Sequence, residues 1–559
     1  MKFKKQIFLF LISILSLNVK AQQWGDYTLY SVMGNTNAYL LDTNGNTYHT
    51  WSGLLHGSGY SSYLLPGGTL VRAAVNPGNS FNGGAICGEV QKYSYAGALQ
   101  WDYVYSTSAH CSHHDICPMP NGNVLLIAYE SKTTAQVTAA GSSVSHIMWP
   151  DEIVEVQPSG ATGGTIVWEW HAWDHLCQSY DSTKANYVSS IVAHPELLNI
   201  NYNNQMNVSD WMHVNGLDYN ETLDQITFSS HNLNEVYVID HSTTTLEAAS
   251  HAGGNSGHGG DLLYRWGNPA AYGATGTNIF HTVHDAHFIP AGCPHAGYLA
   301  GYNNNGISNS QSCVDYFYPP YSGYNYTHVA GQQYTPTTYD WRHACNGHNN
   351  NMGNSQELPN GNVLVCVAQS GLIYEIDSNQ NIIWTKTITG TVPQAFRYSA
   401  CYVSGTQPAT PTISQNGNVL TSTTGTTYQW YFNGVIISGA TNQNYTPTQN
   451  GNYQVMVIDA SGCASALSSA FAFSGSGVND LNEISSILIF PNPSSGLVFI
   501  SQNSFSKNNI DVFDMYGKLI LQATNTNMID LSSAANGVYF VAITNEKGIT
   551  TNKKISLIK

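Results

Sequence analysis

The sequence predicts an all-β protein whose main part, residues 22–405, is a six-bladed β-propeller. Six times along the chain a strand-like stretch ends in tryptophan, and each time a new apolar strand begins soon after. The tryptophans are Trp51, Trp101, Trp170, Trp266, Trp341 and Trp384. The new strands open near Tyr60, His114, His213, His284, Gly353 and Arg397. A fixed repeat of this length that is built from strands is typical of a propeller.

Turn chemistry is the second observation in favour of this fold. Three stretches are near-copies of one another: LLPGGTLV at 64–71, MPNGNVLLIA at 119–128 and LPNGNVLVCV at 358–367. Their Pro-Gly and Asn-Gly pairs favour tight hairpins between consecutive strands. Each blade is therefore predicted to run outward from its first strand as an antiparallel meander.

The two ends of this region predict how the ring closes. The outer strands that end at Trp51 have no inner strand before them. The inner strand that opens near Phe396 has no outer strands after it. Joining the two completes one blade and removes two exposed sheet edges.

A second domain is predicted at residues 406–473. The stretches YQWYFNG and YTPTQNGNYQVMVID alternate polar and apolar residues with turns between them. About seven short strands around Trp430 fit an immunoglobulin-like β-sandwich. The glycine- and serine-rich segment that follows, residues 474–483, is predicted to be a linker.

The N-terminus, residues 1–21, has the pattern of a signal peptide. Lys2, Lys4 and Lys5 precede an apolar run at 7–17, and Val-Lys-Ala at 19–21 is a suitable cleavage site. The apolar run is too short to span a bilayer, and no later stretch meets the requirement. We therefore expect an exported protein without a transmembrane segment.

The C-terminal region, residues 484–559, contains ILIFPNPSSG, IDVFDMYGKLI, IDLSSAANGVYFVAI and the final TNKKISLIK. In order and spacing these motifs resemble the C-terminal sorting domain of the type IX secretion system of Bacteroidetes. The resemblance implies a small β-sandwich that engages the secretion machinery and crosses the outer membrane. It also implies removal of the domain, followed by release of the protein or its attachment to the cell surface.

Composition limits the partners of the protein. Charged residues make up 9% of the chain, and the formal net charge is −16, so there is no general attraction for nucleic acid. Histidine is abundant, with 21 residues. The chain has ten cysteines, which can form disulfides after export. The local pairs Cys111–Cys117 and Cys293–Cys313 are candidates, but the sequence leaves the connectivity open. Cys463 has no partner within its own domain.

Three of the predicted inner strands carry histidine at the same place. His114 begins HDICPMP, His284 begins HDAHFIP, and His213 begins HVNGLDY. In the first two, a proline follows six residues later; in the third, Tyr219 takes its place. If these strands are innermost, the three imidazoles converge on the central channel.

The propeller motifs, taken in order, resemble those of the bacterial arylsulfate sulfotransferases, which are exported six-bladed propellers. The motifs are HHDICPMPNGNVLLIAYE, VWEWHAWDHL, DWMHVNGLDYNETLDQITFSS, GGDLLYRWGNP, HDAHFIP and NMGNSQELPNGNVLV. The resemblance implies transfer of a sulfuryl group from a phenol sulfate donor to a phenol acceptor without a nucleotide donor or other cofactor. A channel histidine is transiently sulfated, and other histidines and an arginine bind the sulfate.

Carried over residue by residue, the resemblance places His213 and His284 among the catalytic histidines. The nucleophile should lie in the strand opening before LPNGNVLV, where Gly353 takes the motif position; we favour His348 just upstream. The other substrate-binding candidates are His114, His343, Arg342 and Arg397, since no arginine follows His284 closely.

Other interpretations remain open at this point. The propeller could be a non-catalytic surface protein that binds glycan or protein, and a metal-dependent lyase or hydrolase is a third and more distant option. The run HTVHDAHF suggests a metal site, but residues three apart on a strand point to opposite faces. We therefore expect no metal there. His114, His284 and the aspartates after them could also be structural, with hydrogen bonds that hold neighbouring blades together.

Overall fold

Antiparallel β-strands form most of the regular structure, which confirms the predicted all-β class. The computed structural model describes residues 25–437, 439–459, 463–475, 488–492, 494–501, 508–514, 518–545 and 550–559. The predicted signal peptide, residues 1–21, and residues 476–483 of the predicted linker lie outside this part of the chain.

Six four-stranded sheets, here called blades 1 to 6, succeed one another along the first domain. The strands of blade 1, from the innermost outward, are Ala395–Tyr398, Tyr27–Ser31, Ala38–Leu41 and Thr47–Trp51. Those of blade 2 are Ser58–Leu64, Leu70–Val75, Gly88–Tyr93 and Leu99–Val104. Those of blade 3 are His110–Pro118, Val124–Glu130, Asp151–Ser159 and Gly163–His171. Those of blade 4 are Val214–Asn220, Gln225–Ser230, Glu235–Asp240 and Tyr264–Trp266. Those of blade 5 are Val283–Phe288, Leu299–Ser308, Gln311–Phe317 and Trp341–Ala344. Those of blade 6 are Asn354–Glu357, Val363–Val367, Leu372–Ile376 and Ile382–Thr387.

The ring closes as the sequence predicts. Strand Ala395–Tyr398 pairs antiparallel with Tyr27–Ser31, and this pairing joins the two ends of the domain in one sheet. The innermost strands of blades 2 to 6 contact one another in turn, and that of blade 6 contacts that of blade 1. Between blades 1 and 2, the backbone N–H of Leu64 donates to the hydroxyl of Tyr398 at 3.1 Å. The innermost strands therefore surround one axis, on which their side chains can meet.

The repeated tryptophans link consecutive blades. Trp51 donates its indole N–H to the carbonyl oxygen of Ser94 in blade 2 at 2.9 Å, and Trp101 donates to Gly163 in blade 3 at 2.8 Å. Trp170 and Trp266 donate in the same way to Gly260 and Pro336, at 2.7 and 2.6 Å. An indole buries a large apolar surface and keeps one donor for such a bond, so it suits the outer strand of a blade.

Helical segments are short and lie in the connections. The α-helices are Thr134–Ala139, Thr245–Ala248 and Ala400–Ser404, and the 3₁₀ turns are Ala172–His175, Ile191–Ala193, Pro269–Tyr272 and Ala368–Ser370. Two small strand pairs, Leu176–Cys177 with Leu198–Asn199 and Tyr321–Ser322 with Asn325–Tyr326, complete the insertions. Among the described residues, no helix is long and apolar enough to cross a membrane.

The second domain has seven short strands, the number expected for it. They are Ile413–Asn416, Val419–Ser422, Thr427–Phe432, Val435–Ile436, Asn444–Tyr445, Gly451–Ile458 and Phe471–Phe473. Trp430 is fully buried and donates its indole N–H to the carbonyl oxygen of Asn442 at 2.8 Å. The immunoglobulin-like architecture of this region stays a prediction.

The C-terminal region forms two small sheets. One contains Leu488–Phe490, Leu497–Ser501 and Met528–Asp530; the other contains Leu519–Thr524, Asn508–Asp514, Gly537–Asn545 and Thr550–Leu557. Apolar side chains from both sheets pack into one core, including Val498, Ile529, Val512, Val541 and Ile555.

The cysteines pair differently from the local candidates. A disulfide joins Cys401, just after the last propeller strand, to Cys463 in the second domain. Cys111, Cys117, Cys293 and Cys313 are free and buried, as are the other four thiols, so both local pairings were wrong. The partner of Cys463 lies 62 residues away in the sequence, a separation that carries no local signal.

Candidate active site

Imidazoles from three consecutive blades meet at the centre of the propeller. The ring of His114, on the innermost strand of blade 3, lies 4.6 Å from that of His213 in blade 4 and 6.5 Å from that of His284 in blade 5. The ring of His231 lies 4.9 Å from His213 and 5.5 Å from His284. These four residues and His113 are called the histidine cluster below.

Backbone irregularities direct these side chains inward. His114 and His213 have positive φ angles of 51° and 54°, and Asp285, next to His284, has a φ of 59°. Each innermost strand here also has a register shift at the same place, as between His284 and His287. Positive φ in a residue other than glycine costs about 1–3 kcal/mol and is concentrated at functional sites. A β-bulge likewise changes the direction of a side chain, so neighbouring residues need not alternate between faces.

The protonation state of His284 follows from its neighbours. Asn304 donates its amide to the carbonyl oxygen of Met352 at 2.8 Å, so its Oδ1 faces Nδ1 of His284 at 2.7 Å. An amide oxygen only accepts, and Nδ1 of His284 must therefore carry a proton. Burial and the nearby imidazole of His231 hold the pKa of His284 well below its ordinary value. The neutral ring consequently has its lone pair on Nε2, which is buried and has no hydrogen-bond partner among the described residues.

His231 is held in the same tautomer. Asn232 donates its amide to the carbonyl oxygen of Asp210 at 2.9 Å, and its Oδ1 accepts from Nδ1 of His231 at 2.7 Å. Burial and the charge of His213 lower the pKa of His231 to about 4. Sequence reasoning missed this residue because it lies in the turn after a second strand, Gln225–Ser230, outside the position shared by the other histidines.

His213 differs from its neighbours because it is paired with a carboxylate. Its Nδ1 lies 2.5 Å from Oδ2 of Asp210, which also accepts a hydrogen bond from the hydroxyl of Tyr129 at 2.9 Å. Burial lowers the pKa of His213, but the hydrogen bond to Asp210 and the charges of Asp210 and Asp151 outweigh this effect and raise it above the ordinary value. The motif DWMH contained the signal for this pair, three residues apart.

His114 ends a hydrogen-bonded chain. Its Nδ1 lies 2.8 Å from Nδ1 of His113, and Nε2 of His113 lies 2.8 Å from Oδ1 of Asp151. Burial lowers the pKa of His113 to about 3, whereas burial and the charge of Asp210 raise the pKa of Asp151 well above its ordinary value. One proton occupies each hydrogen bond, so a proton can shift along the chain.

Asp115 and Asp285, which directly follow His114 and His284 in the sequence, hold neighbouring blades together. Oδ2 of Asp115 accepts from the backbone N–H of Leu217 in blade 4 at 3.3 Å. Oδ2 of Asp285 accepts from the backbone N–H of Ser355 in blade 6 at 2.8 Å. In each pair, therefore, the aspartate bonds the backbone of another blade while the histidine faces the cluster.

The remaining predicted site residues lie in other surroundings. Nε2 of His348 is 2.9 Å from Oδ1 of Asn305, and no ring contact with the histidine cluster is found in the described part of the chain. His343 is buried between Gln380 and the hydroxyl of Tyr374, each 2.9 Å away. Their predicted roles in the reaction remain predictions.

The two candidate arginines are paired with carboxylates inside the blades. Nη2 of Arg397 lies 2.9 Å from Oε2 of Glu375, and its guanidinium stacks on Trp384. Arg342 forms a two-point ion pair with Asp315, with one contact at 2.6 Å. Their predicted role in sulfate binding likewise remains a prediction.

A cavity of about 150 Å³ adjoins the histidine cluster. Asp210 and Asn232, the partners of His213 and His231, form part of its wall. The other residues that line it are Met148, Asn203, Asn204, Gln205, Val208 and Trp211. Its wall combines apolar side chains with amide groups, the two kinds of group that contact a small organic ligand.

Groups that could hold a metal ion lie outside the histidine cluster. Within the described ranges they are Glu130 with Glu152 and His171, and His175 with His251 and Asp261. The run at 281–287 does not form such a group: Nδ1 of His287 bonds to the carbonyl oxygen of Asp285 at 2.9 Å, whereas His284 bonds to Asn304.

Solved structures similar to this chain have low sequence identity. A protein of unknown function from Bacteroides caccae has 11% identity and a TM-score of 0.37, over 66% of this chain and 98% of its own. The Cps50 (Swd1) β-propeller domain of Myceliophthora thermophila has 9% identity and a TM-score of 0.31, over 72% of this chain and 94% of its own. AztD of Citrobacter koseri has 10% identity and a TM-score of 0.27, over 81% of this chain and 100% of its own. Similarities this low carry no conclusion about function, and no curated protein matches the chain.

Two family models match the chain. A secretion system C-terminal sorting domain matches residues 488–558, and the protein is accordingly secreted or placed on the outer cell surface. The model for arylsulfotransferase (ASST) matches residues 28–383. Because this match covers more than half of the sequence and includes the whole histidine cluster, the chain belongs to the arylsulfotransferase family.

Proposed function

We propose that the histidine cluster transfers a sulfuryl group from a phenol sulfate to a second phenol, with His284 as the residue that is sulfated. The observation that carries this proposal is the state of His284: its Nδ1 proton is fixed by Asn304 and its Nε2 lone pair is free. A neutral imidazole in this tautomer is a competent nucleophile. This assignment replaces His348, the residue favoured from the sequence.

In the first half of the reaction, Nε2 of His284 attacks the sulfur of the donor. A bond forms between nitrogen and sulfur, and the bond between sulfur and the aryl oxygen breaks. The departing phenolate takes a proton from His213, whose pKa is raised by Asp210 so that the imidazolium is available. The products are a sulfated His284, a neutral His213 and a free phenol.

The second half reverses these steps with a new phenol. Neutral His213 accepts the proton of the acceptor hydroxyl while its oxygen attacks the sulfur. The bond between Nε2 of His284 and sulfur breaks, and the aryl sulfate leaves. His213 is again protonated, so both residues return to their starting state and no cofactor is consumed.

The negative charge of the sulfuryl group has to be met without an arginine. All four arginines of the chain contact carboxylates or backbone carbonyls within the blades; they are Arg72, Arg265, Arg342 and Arg397. In this proposal the imidazolium of His213 supplies the charge while the donor is bound, until it gives its proton to the phenolate. The Asp151–His113–His114 chain can supply a further N–H by shifting its protons.

The cavity beside Asp210 and Asn232 is the proposed position of the aromatic ring. Its apolar wall, formed by Met148, Val208 and Trp211, can pack against a phenol. A ring bound there would lie next to Asp210 and Asn232, the residues that hold His213 and His231.

The decisive experiment traps the intermediate. The purified secreted protein is mixed with 4-nitrophenyl sulfate without acceptor, and the protein mass is measured before phenol is added. We expect a gain of one SO₃ group on the peptide that contains His284, and its loss when phenol is added. His284→Ala should abolish the label and the release of nitrophenol, whereas His348→Ala should retain both. A label on another histidine, or no label and no turnover from folded protein, would contradict the assignment.

A second candidate function is binding without catalysis. The observation in its favour is that every arginine is committed to a contact within the blades, so that no arginine is left for a sulfate. The protein would then be a surface propeller that binds glycan or protein. Absence of turnover over a range of phenol sulfates, from a folded protein, would favour this second function.

A further inference from the structure

Three side chains meet at the boundary between blades 3 and 4, outside the histidine cluster. His175 ends the 3₁₀ turn that follows the last strand of blade 3, whereas His251 and Asp261 lie in the insertion before strand Tyr264–Trp266. Nδ1 of His175 is 2.9 Å from Oδ1 of Asp261, and Nδ1 of His251 is 2.7 Å from the same oxygen. The three ligand atoms lie within 4.8 Å of one another.

The orientation of His175 suggests what this group binds. Its Nε2 lies 2.8 Å from the carbonyl oxygen of Ala248, and a carbonyl only accepts, so Nε2 carries a proton. In the neutral ring the Nδ1 lone pair then points at the carboxylate oxygen of Asp261. Two electron-rich atoms at this separation repel each other unless a proton or a cation lies between them. The hydrogen bond from Nε2 to a backbone carbonyl is also the usual second contact of a metal-binding histidine.

The surroundings fix His175 in this position. Its side chain is fully buried, and its ring stacks on Trp170 with an interplanar angle of 3°. Trp170 in turn donates to the carbonyl oxygen of Gly260, next to Asp261. A Cβ on Gly260 would lie 1.9 Å from the oxygen of Ala248 and 2.7 Å from Nε2 of His175, so only glycine fits there.

We propose that His175, His251 and Asp261 bind a divalent transition-metal ion of the zinc type. Two imidazole nitrogens and one carboxylate oxygen are a ligand set that zinc accepts, with bond lengths of about 2.0–2.2 Å. Small rotations of the rings would bring the three atoms to these distances. His251 is 64% exposed, which leaves a path for the ion and room for water as the fourth ligand.

The role of the ion would be structural. It would join the end of blade 3 to the insertion of blade 4, which contains helix Thr245–Ala248 and the glycine-rich stretch 253–260. This insertion has few apolar residues of its own, so a bound ion could replace the core that it lacks. The second group that could hold a metal ion, Glu130 with Glu152 and His171, is a weaker candidate. Lys132 is already paired with Glu130, and His110 with Glu152.

The test measures zinc binding and stability on the full secreted protein. After treatment with a chelator, the protein is titrated with zinc chloride, and bound zinc and the thermal unfolding midpoint are recorded. His251→Ala removes one ligand at an exposed position, where loss of the fold is not expected. The control is His194→Ala, a histidine 42% exposed that is paired with one carboxylate, Glu196.

We expect His251→Ala to bind one zinc fewer per chain than the parent and the control, and to lose the rise in the unfolding midpoint that zinc gives. This comparison remains valid if the histidine cluster also binds zinc, because the cluster is intact in all three proteins. Equal zinc content in parent and His251→Ala, or a midpoint that zinc leaves unchanged, would overturn the proposal and leave a purely hydrogen-bonded triad.

Discussion

Asn304 accepts the Nδ1 proton of His284 at 2.7 Å and is itself held by the carbonyl oxygen of Met352. This arrangement keeps the proton of the neutral His284 ring on Nδ1 and leaves the lone pair on Nε2. A residue one strand away from the histidine thus fixes its tautomer, and the proposed nucleophile depends on that choice.

The first prediction concerns this hydrogen bond. Asn304→Ala should lower kcat by about 10- to 100-fold, because His284 can then place its proton on Nε2 and lose the free lone pair. KM for the sulfate donor should change little, since Asn304 does not line the cavity. The matched control is Asn305→Ala, which removes the partner of His348. Equal losses in the two variants would show that the tautomer of His284 is not the cause.

The second prediction concerns the pH dependence of the rate. Asp210 raises the pKa of His213, so the imidazolium persists to higher pH and is lost as the pH rises through that raised value. In Asp210→Asn the pKa of His213 should fall, and the decline of kcat with rising pH should begin at lower pH. The control is Asp224→Asn, which removes the carboxylate beside His241, whose pKa is raised to about 9. That variant should keep the parent pH profile.

The ion pair of His213 and Asp210 should also make the free energy of unfolding depend on pH, in a direction that can be measured. A histidine whose pKa is raised in the folded state stabilises it below its ordinary pKa, and this contribution disappears as the pH rises through the folded value. The difference in unfolding free energy between the parent and Asp210→Asn should therefore be larger at acidic pH than at alkaline pH. A difference that is constant with pH would contradict the raised pKa of His213.

Much of the fold is predictable because the signals are local and repeated. The outer tryptophans mark each blade, since an indole at that place both packs and bonds to the next blade. The sequence also showed that His114, His213 and His284 take the same place at the start of their strands. It did not reveal His231, because this residue lies in the turn after the second strand of blade 4, outside the position that the other histidines share. The pairing of the first two strands of this blade brings it to His213, whose carbonyl oxygen accepts from the backbone N–H of His231 at 3.1 Å.

Other parts depend on partners far away in the sequence. Arg397 could be a sulfate ligand from its position in a strand, but Glu375 lies beside it in the neighbouring blade. The tautomer of His284 depends on an asparagine 20 residues later, in a run of three asparagines that looks like a loop. Spacing in the sequence gives no indication of either contact.

The third prediction concerns the disulfide between Cys401 and Cys463. Removing it with Cys463→Ser frees a loop with a separation of 62 residues, which should cost about 4 kcal/mol in the chain-entropy description. The thermal midpoint should fall, and a reducing agent should lower the midpoint of the parent but not that of the variant. The eight buried cysteines should not contribute, because they are free thiols and hold no disulfide that the reducing agent could break. A parent that is insensitive to reduction would contradict the prediction.

The fourth prediction separates a structural role of Arg397 from a role in substrate binding. Its guanidinium and the carboxylate of Glu375 are both fully buried, with 2.9 Å between Nη2 and Oε2. Arg397→Met removes the charge that balances this carboxylate, which keeps its hydrogen bond from the amide of Asn362 at 2.6 Å, and should destabilise the fold by about 3–5 kcal/mol. The double variant Arg397→Met with Glu375→Leu should recover part of this loss, because an apolar pair of similar volume removes the buried charge, although the amide of Asn362 loses its acceptor. KM for the sulfate donor should stay unchanged in the double variant, whereas an increase in KM without loss of stability would show instead that Arg397 binds the sulfate.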